Sequence, residues 1–374
     1  MTWEHARGYD SVVAAAQAYR SVQPDVEIRW EYRSLLAFGD QGLNEFVADY
    51  DLVVIDHPHI PIAAEQGWLL PLDGSGHDDE LALLAQQSVG PSHATYRYNG
   101  HQWGLATDAA AQVAAWRPDL LPEPPRTWDQ VLELASQGRV LWPAKPVDAF
   151  STMVTIAGAH GHAAMAEPGR FLPRDVGRAT LELMHRLMAS VPEDNLGLNP
   201  IEVSDLLASG DQYAYCPLLF GYTNYSRPGF RRHRLAYIDV PAGPAGNDGS
   251  LLGGAGIAVS ARTQHPEEAI AHAIWLDSAA VQEGVYFDGG GQPGNAVAWE
   301  SDRTNAATLD FFRNTRHTLE TAYVRPRHVA YMDVQNAAGT LINATLRREY
   351  SDDDLLTQLD YLVGQHLGGS RADG

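Results

Sequence analysis

The segment with the clearest potential for chemistry is an apolar run that ends in an aspartate and two histidines. Residues 52–55 are all aliphatic, and Asp56, His57 and His59 follow directly, with Pro58 preventing the strand from continuing. Four consecutive aliphatic residues predict a strand that is buried on both faces. Ligands of open α/β sheets collect beyond the carboxyl ends of the strands, so these side chains lie where a binding site is expected.

Three kinds of chemistry fit these side chains. Asp56 and His57 could exchange protons with a substrate, and all three could hydrogen-bond a polar ligand. His57 and His59 could also bind a metal ion, but residues two apart on an extended strand share one side and no third metal ligand is identifiable. We therefore predict a ligand site without a metal or a cofactor. The structural alternative is that Asp56 caps the following turn.

The single cysteine, Cys216, allows two interpretations. With one cysteine in the chain no intrachain disulfide can form. Cys216 could act as a thiolate nucleophile if a base such as His5, His57 or Glu4 lay close to it. The alternative is a small, buried, unreactive side chain.

The composition sets limits on the class of protein. A length of 374 residues suggests two domains. The formal net charge of −21 argues against nucleic acid and against an anionic membrane surface as partners. No apolar run of about 18 residues is present that could insert into a membrane. No secretion signal is visible at the start, so the expected location is the cytoplasm, or an extracytoplasmic one if a leader has been removed.

Strand-like and helical patterns alternate along the chain, which predicts βαβ units and a parallel sheet. Near the start the predicted strands are Thr2–His5 and Val26–Tyr32, and the predicted helices are Val12–Tyr19 and Gln41–Ala48. Further predictions are a helix over Ile62–Gln66 ending at Gly67, a turn at Asn99-Gly100, extended segments Trp103–Thr107 and Val113–Trp116, a helix capped by Thr127, a helix over Val176–Met188, a strand over Leu251–Ser260 and a helix over His265–Leu276.

The order of three segments resembles the extracellular solute-binding proteins of ABC importers, family 1. The segments are EQGWLLPLD, then YNGHQWGLATDAAAQVAAWRPDLLPEPPRTWDQVLELA, then LLGGAGIAVS. This resemblance implies a type II periplasmic-binding-protein fold, an α/β fold of two interleaved lobes with a ligand cleft between them. The first lobe would comprise residues 1–107 and about 257–310, and the second about 108–256 and 311–374. Hinge crossings are expected near residues 104–110 and 251–258.

The resemblance also implies which residues contact the ligand. In the first lobe the ends of the early strands would converge on the cleft, with the predicted contacts His5, Arg7, Tyr9, Arg33, Asp56, His57 and His59. Asp108 and Gly254 fall in the predicted crossings, and Gln292 falls in the glycine-rich turn over residues 288–294. The second lobe would offer Trp116, Tyr222 and Tyr225 as aromatic faces that stack on sugar rings, and Arg325 as a partner for an anionic group. The alternative is that most of these aromatic rings pack in the core.

Two functions follow as hypotheses. The first is a solute-binding protein that closes on a small polar or carbohydrate-like ligand by hinge motion and delivers it to an ABC permease. The second is a cytoplasmic enzyme on the same scaffold that uses Glu4, His5, Asp56, His57 and Cys216. Some relatives of the fold are enzymes, but the family that this sequence resembles consists of receptors. The resemblance therefore favours binding over catalysis.

Overall fold

The computed structural model describes residues 1–34 and 42–368. The strands are β1 (Thr2–Trp3), β2 (Tyr32–Arg33), β3 (Leu52–Ile55), β4 (Arg97–Tyr98), β5 (His101–Gln102), β6 (Leu105–Trp116), β7 (Tyr215–Phe220), β8 (Ala236–Ile238) and β9 (Leu252–Val259). The α-helices are α1 (Ser11–Tyr19), α2 (Ile60–Glu65), α3 (Asp78–Gln86), α4 (Trp128–Ser136), α5 (Pro146–Ala159), α6 (Arg174–Met188), α7 (Pro200–Ser209), α8 (Pro266–Asp277), α9 (Ala279–Val281), α10 (Ala296–Glu300), α11 (Asp302–Ala307), α12 (Phe311–Glu320), α13 (Tyr331–Leu346) and α14 (Asp352–His366). Two π-helices lie at Ala6–Asp10 and Gln282–Tyr286.

The chain divides into two compact units, each built from separate stretches of sequence. Unit 1 contains Met1–Ala110 and Gly253–Ala306. Unit 2 contains Ala111–Leu252 and residues 307–368. The chain therefore passes between units after residues 110, 252 and 306, where the sequence predicted passages after about 107, 256 and 310.

Unit 1 is organised around a sheet in which β9 lies between β3 and the first part of β6. The β3–β9 pair is antiparallel, with Leu52 opposite Val259 and Ile55 opposite Gly256. On the other side of β3, the Met1 amino group donates to the Leu52 carbonyl, and the Val54 amide donates to the Met1 carbonyl, both at 2.9 Å. The short strand β1 then pairs with β2 in parallel.

Strand β3 is buried on both faces, as its four aliphatic residues predict. Leu52 and Val54 pack into a cluster with Trp3, Trp30 and residues of α1 and α8. Val53 and Ile55 pack on the opposite face with Ile60 and Tyr96 among others. This arrangement fixes the backbone at the end of β3, which is where Asp56 and the two histidines begin.

Unit 2 is built on the second part of β6, which pairs antiparallel with β7 and β8. Its core contains residues from α4 to α6 and from α13 and α14. Helices α5 and α13 approach so closely that a Cβ added to Gly339 would lie 2.5 Å from the carbonyl oxygen of Pro146. A larger residue at position 339 would separate the two helices.

Several sequence predictions are confirmed. Helix α1 and helix α6 begin one or two residues before the predicted starts, and α2 is followed by Gly67 at a φ of 63°. Asn99 and Gly100 form the turn between β4 and β5 with φ values of 49° and 82°. Thr127 caps α4 in a full capping box with Gln130.

Other predictions are wrong for identifiable reasons. Residues 43–45 and 47–49 form two 3₁₀ turns rather than a helix, and Gln41 lies outside the described residues. The two extended segments before Trp116 form one continuous strand, β6. The sheet is not purely parallel, because the chain returns from unit 2 along β9 and meets β3 in the antiparallel sense. Residues 26–31 are not assigned to a strand although the sequence predicted one.

Candidate functional site

The chain turns into a π-helix directly after β1, and His5 caps that helix. Nδ1 of His5 accepts a hydrogen bond from the Arg7 amide at 3.0 Å. A ring nitrogen that accepts this bond carries no proton, so the neutral imidazole holds its proton on Nε2. The neighbouring Glu4 is exposed, and its amide donates to the Arg33 carbonyl at 2.9 Å. His5 is thus a hydrogen-bond donor at the end of the first strand.

Arg7 and Asp108 form a buried, two-point ion pair. Nε of Arg7 donates to Oδ2 of Asp108 at 2.6 Å, and the Arg7 Nη2 donates to Oδ1 at 2.5 Å. The side chains are only 4% and 1% exposed. Burial raises the pKa of the Asp108 carboxyl, and the Arg7 guanidinium opposes that shift. The pair ties the π-helix to strand β6 close to the point where the chain leaves unit 1.

Arg33 ends the second strand with its guanidinium on an aromatic ring. Its Cζ lies 3.8 Å from the centroid of Phe46, within the range of a cation–π contact. Burial lowers the pKa of Arg33 to about 10, and Glu45 offsets part of the shift. Arg33 remains charged at neutral pH. Tyr9 is half-buried and packs edge-on against Tyr32, with 4.8 Å between ring centroids.

The end of β3 continues into a 3₁₀ turn over His57–His59. His57 is buried and lies edge-on to Tyr96 at 6.2 Å, while Asp56 and His59 are half-buried. The sequence left open that Asp56 caps this turn, but the Asp56 side chain makes no capping hydrogen bond to it. The charge of Asp56 also acts on Asp108, which places the end of β3 near the Arg7–Asp108 pair.

Gly254 and Gln292 lie close to strand β6 and help to hold it in place within unit 1. Gly254 has a φ of 104°, and a Cβ there would lie 2.4 Å from the carbonyl oxygen of Asp108. Gln292 is fully buried and donates from Nε2 to the Ala109 carbonyl at 2.8 Å. The glycine-rich turn therefore holds β6, and both residues adjoin the Arg7–Asp108 pair.

A buried polar network that the sequence analysis missed lies beside the same strand. The Thr107 hydroxyl is 3.0 Å from Oδ2 of Asp277, and Nε2 of Gln282 is 3.3 Å from Oδ1. Burial raises the pKa of Asp277 well above its usual value, and the contact with Thr107 opposes the shift. Thr107 and Asp277 are 170 positions apart, so no spacing in the sequence could have paired them.

The second-lobe candidates lie in unit 2. Trp116 and Tyr222 are half-buried, whereas Tyr225 is fully buried with its hydroxyl donating to Oδ1 of Asp205 at 2.8 Å. Arg325 is 5% exposed and reaches Gln335 at 3.4 Å. The roles of Trp116, Tyr222, Tyr225 and Arg325 as ligand contacts stay predictions, as do those of the unit 1 residues.

Cys216 is enclosed in the core of unit 2. It is fully buried, and its thiol contacts the Leu218 carbonyl at 3.5 Å. Burial raises the pKa of this thiol, so the thiolate is suppressed at neutral pH. Asp148 lies near enough to add to that shift, and burial raises its own pKa to about 8. These features fit the unreactive interpretation of Cys216.

Metal-binding clusters and membrane-spanning helices are both absent from the part of the chain that the structure describes. No cluster of three or more His, Cys, Asp or Glu side chains in residues 1–34 and 42–368 could hold a metal ion. No helix in the same two ranges is long and apolar enough to span a membrane.

Comparison with a family model identifies the class of protein. Residues 42–309 match the model described as bacterial extracellular solute-binding protein, and the chain belongs to this family. It is a solute-binding protein. One curated relative, the maltotriose-binding protein of Pyrococcus abyssi, is 29% identical over 119 residues. That match covers 32% of this chain and only 25% of the relative.

Comparison with solved structures establishes the fold. The maltose-bound MalE3 of T. maritima gives a TM-score of 0.82 at 16% identity and covers 95% of each chain. A solute-binding protein of Agrobacterium radiobacter K84 in complex with ribitol gives 0.79 at 18% identity, covering 95% of this chain and 94% of that one. The GacH receptor of Streptomyces glaucescens gives 0.80 at 16% identity, covering 99% and 98%. The chain has the type II periplasmic-binding-protein fold that its sequence predicted.

Proposed function

We propose that this protein binds a sugar or a polyol and is the receptor of an ABC importer. The family match over residues 42–309 carries the proposal. The proposed ligand class is supported by similar proteins that bind maltotriose, maltose and ribitol. Hydroxyl-rich ligands need a site with many hydrogen-bonding groups and a few aromatic faces. The donors and acceptors at the ends of three strands of unit 1, and the half-buried rings of Trp116 and Tyr222 in unit 2, are groups of these kinds.

The proposal treats the protein as a binder rather than a catalyst. One form of the enzyme hypothesis uses a reactive thiolate at Cys216, with His5, His57 or Glu4 as its base. The burial and the raised thiol pKa of Cys216 speak against it. No observation on the remaining acid–base candidates favours catalysis, so no second function is put forward.

Thermal shift and calorimetric titration test the ligand class directly. We expect a rise in Tm with one or more of maltose, maltotriose, ribitol and mannitol, because a ligand that binds only the native state stabilises it by RT ln(1 + [L]/Kd). Tyr222→Ala should weaken this response, since it removes a half-buried ring. Tyr361→Ala is a matched control, because that ring is 63% exposed on α14. If no sugar or polyol shifts Tm at millimolar concentration, the proposed ligand class is wrong.

The location and the partner belong to the same proposal. The family is described as extracellular, and this description supports an extracytoplasmic role. Cell fractionation with an antibody against the protein would test this. Co-purification with a permease from detergent-solubilised membranes would test the partner, and a protein found only in the cytoplasmic fraction would contradict the importer role.

A further inference from the structure

Asp277 is an acid that lies buried among neutral groups. It is the last residue of α8 and is 5% exposed. Its Oδ2 lies 3.0 Å from the Thr107 hydroxyl, and its Oδ1 accepts a hydrogen bond from Nε2 of Gln282 at 3.3 Å. These are the two hydrogen bonds of the carboxyl in the described chain, and neither comes from a cation. Burial of a carboxylate without a cation costs much free energy, which favours the neutral acid.

The position of Asp277 in its helix also disfavours a negative charge. The C-terminal end of a helix carries a partial negative charge on its last carbonyl groups, and Asp277 is the final residue of a helix of 12 residues. The Asp277 carbonyl itself accepts a hydrogen bond from Nδ2 of Asn295 at 3.1 Å. The amide of Asn295 thus binds the backbone of Asp277 and leaves the carboxyl to its two neutral partners.

The charged and titratable groups on the surrounding elements supply no cation to Asp277. They are His272 on α8 itself, Tyr286 on the later π-helix, Asp108 on β6 and Arg7 on the first π-helix. Arg7 is paired with Asp108, and burial lowers the pKa of His272 to about 4, so that ring is neutral. Burial raises the pKa of Tyr286. Asp277 therefore has no positive charge to offset its ionisation.

The carboxyl joins the end of α8 to the beginning of β6 at a point where the backbone is also held. The Gly294 amide donates to the Thr107 carbonyl at 3.1 Å and to Oε1 of Gln282 at 2.9 Å. The side chain of Gln282 thus connects Asp277 with the Gly294 amide, and the network closes at Thr107. Thr107 directly precedes Asp108, so the network also holds Asp108 in place.

We propose that Asp277 keeps its proton in the folded protein, so that a neutral acid joins α8 to β6, and that ionisation in alkaline solution releases this contact. With the proton on Oδ2, the acid donates to the Thr107 hydroxyl while Oδ1 accepts from Gln282. Without the proton, a carboxylate is buried with two neutral partners, and water must enter to solvate it. This device lies within unit 1 and does not depend on the identity of the solute.

Asp277→Asn tests the proposal, because the amide has nearly the shape of the neutral acid and cannot ionise. The folded protein holds this proton to a higher pH than the unfolded chain does, so the stability that it contributes is complete in acid and is lost as the pH rises. From pH 5 to 8, the unfolding equilibrium constant of the wild type should rise relative to that of the variant, by up to about tenfold per pH unit. Urea unfolding at each pH measures both constants, and their ratio cancels the titration of the histidines.

Asp79→Asn is the matched control, since Asp79 is exposed on α3 and its substitution should leave the pH dependence of the wild type unchanged. A ratio between the wild type and Asp277→Asn that stays constant from pH 5 to 8 would overturn the proposal. The Gly294 amide reports the release itself. Its protection from hydrogen exchange should fall at alkaline pH in the wild type and persist in Asp277→Asn, and an equal fall in both proteins would contradict the release.

A measurement on the wild type keeps the proposal open to refutation if Asp277→Asn does not fold. The carbon-13 chemical shift of the Asp277 carboxyl distinguishes the neutral acid from the carboxylate. We expect the shift of the neutral acid at pH 7 and a change toward the carboxylate at higher pH. The shift of a carboxylate at pH 7 would overturn the proposal.

Discussion

At the scale of single residues, the Arg7–Asp108 pair organises the candidate site in unit 1. Each of its hydrogen bonds is charge-assisted, and neither side chain is more than 4% exposed. Both residues were predicted as ligand contacts, which stays a prediction, and in the structure they bind each other. Arg7 therefore holds in place the π-helix that carries His5 and Tyr9. This role does not depend on whether Arg7 contacts a ligand.

Removing Arg7 should destabilise unit 1 strongly. Arg7→Met leaves the Asp108 carboxylate buried without its cation, and breaking such a pair costs about 3–5 kcal/mol. Urea unfolding followed by circular dichroism would measure this loss. Arg20→Ala is the control, because it breaks only an exposed ion pair with Glu27 and should leave the midpoint unchanged. Equal midpoints for the two variants would show that the Arg7–Asp108 pair contributes little.

A buried histidine should make unit 1 sensitive to acid. His272 is fully buried between Tyr19 and Trp275, and neither ring nitrogen has a partner in the described chain. Burial lowers its pKa from 6.5 to about 4. The folded state therefore holds fewer protons than the unfolded state between these values. The stability is complete above pH 6.5 and falls by up to about 3 kcal/mol as the pH drops toward 4.

Unfolding free energies measured from pH 7.5 to 4 would check this dependence. In His272→Phe the slope should become smaller but not vanish, because burial also lowers the pKa of His93 to about 4. An unchanged slope in the variant would assign the acid sensitivity to other groups.

At the scale of elements, the geometry of unit 1 depends on how closely β6 and β9 approach. Gly254 permits that approach through a left-handed backbone and the absence of a Cβ. Gly294 allows another close approach to β6 only through the absence of a Cβ, because a Cβ there would overlap the Ala106 carbonyl. The strands that leave unit 1 are thus held by glycines as well as by Gln292.

Gly254→Ala should destabilise the fold by about 2–4 kcal/mol, because the new methyl group is both strained and in conflict with the Asp108 carbonyl. Thermal unfolding would measure the effect. Gly197→Ala is the matched control, since nothing lies within 4 Å of the position that its new methyl group would take and its backbone is not left-handed. A loss no larger than that of the control would show that β6 and β9 can separate without cost.

Local signals predicted many elements and missed the long-range ones. The Thr127 cap, the Asn99-Gly100 turn and the aliphatic run of β3 depend on neighbouring residues, so the sequence displays them. The antiparallel β3–β9 pair and the Arg7–Asp108 contact join distant positions, and no single sequence shows which distant segments meet. The sequence showed that polar side chains follow β1 and β3. It did not show the buried polar network around Asp277.

At the scale of the whole molecule, neither unit is a continuous piece of chain. Strand β3 of unit 1 pairs with β9, which arrives only after the chain has built most of unit 2. Folding of unit 1 therefore requires contacts more than 200 positions apart, such as Leu52 with Val259. Such non-local pairing slows folding.

Residues 1–110 alone should not fold, because Ile257, Val259 and α8 supply much of the core of unit 1. Joining residues 1–110 to 253–306 through a flexible linker should restore a cooperative unit. Circular dichroism melting and amide dispersion in NMR spectra would distinguish the two proteins. A cooperative transition in the 1–110 fragment would show that β9 is dispensable.

The burial of Cys216 also makes this chain a favourable background for optical reporters. It is the one thiol in the sequence, and the core of unit 2 covers it. A cysteine placed by design on the surface would therefore be the only group that a maleimide dye labels in the native protein. The prediction that Tyr222 contacts the ligand could then be tested with a dye beside that ring, whose fluorescence is expected to change when a sugar binds. No native side chain would have to be removed from the core.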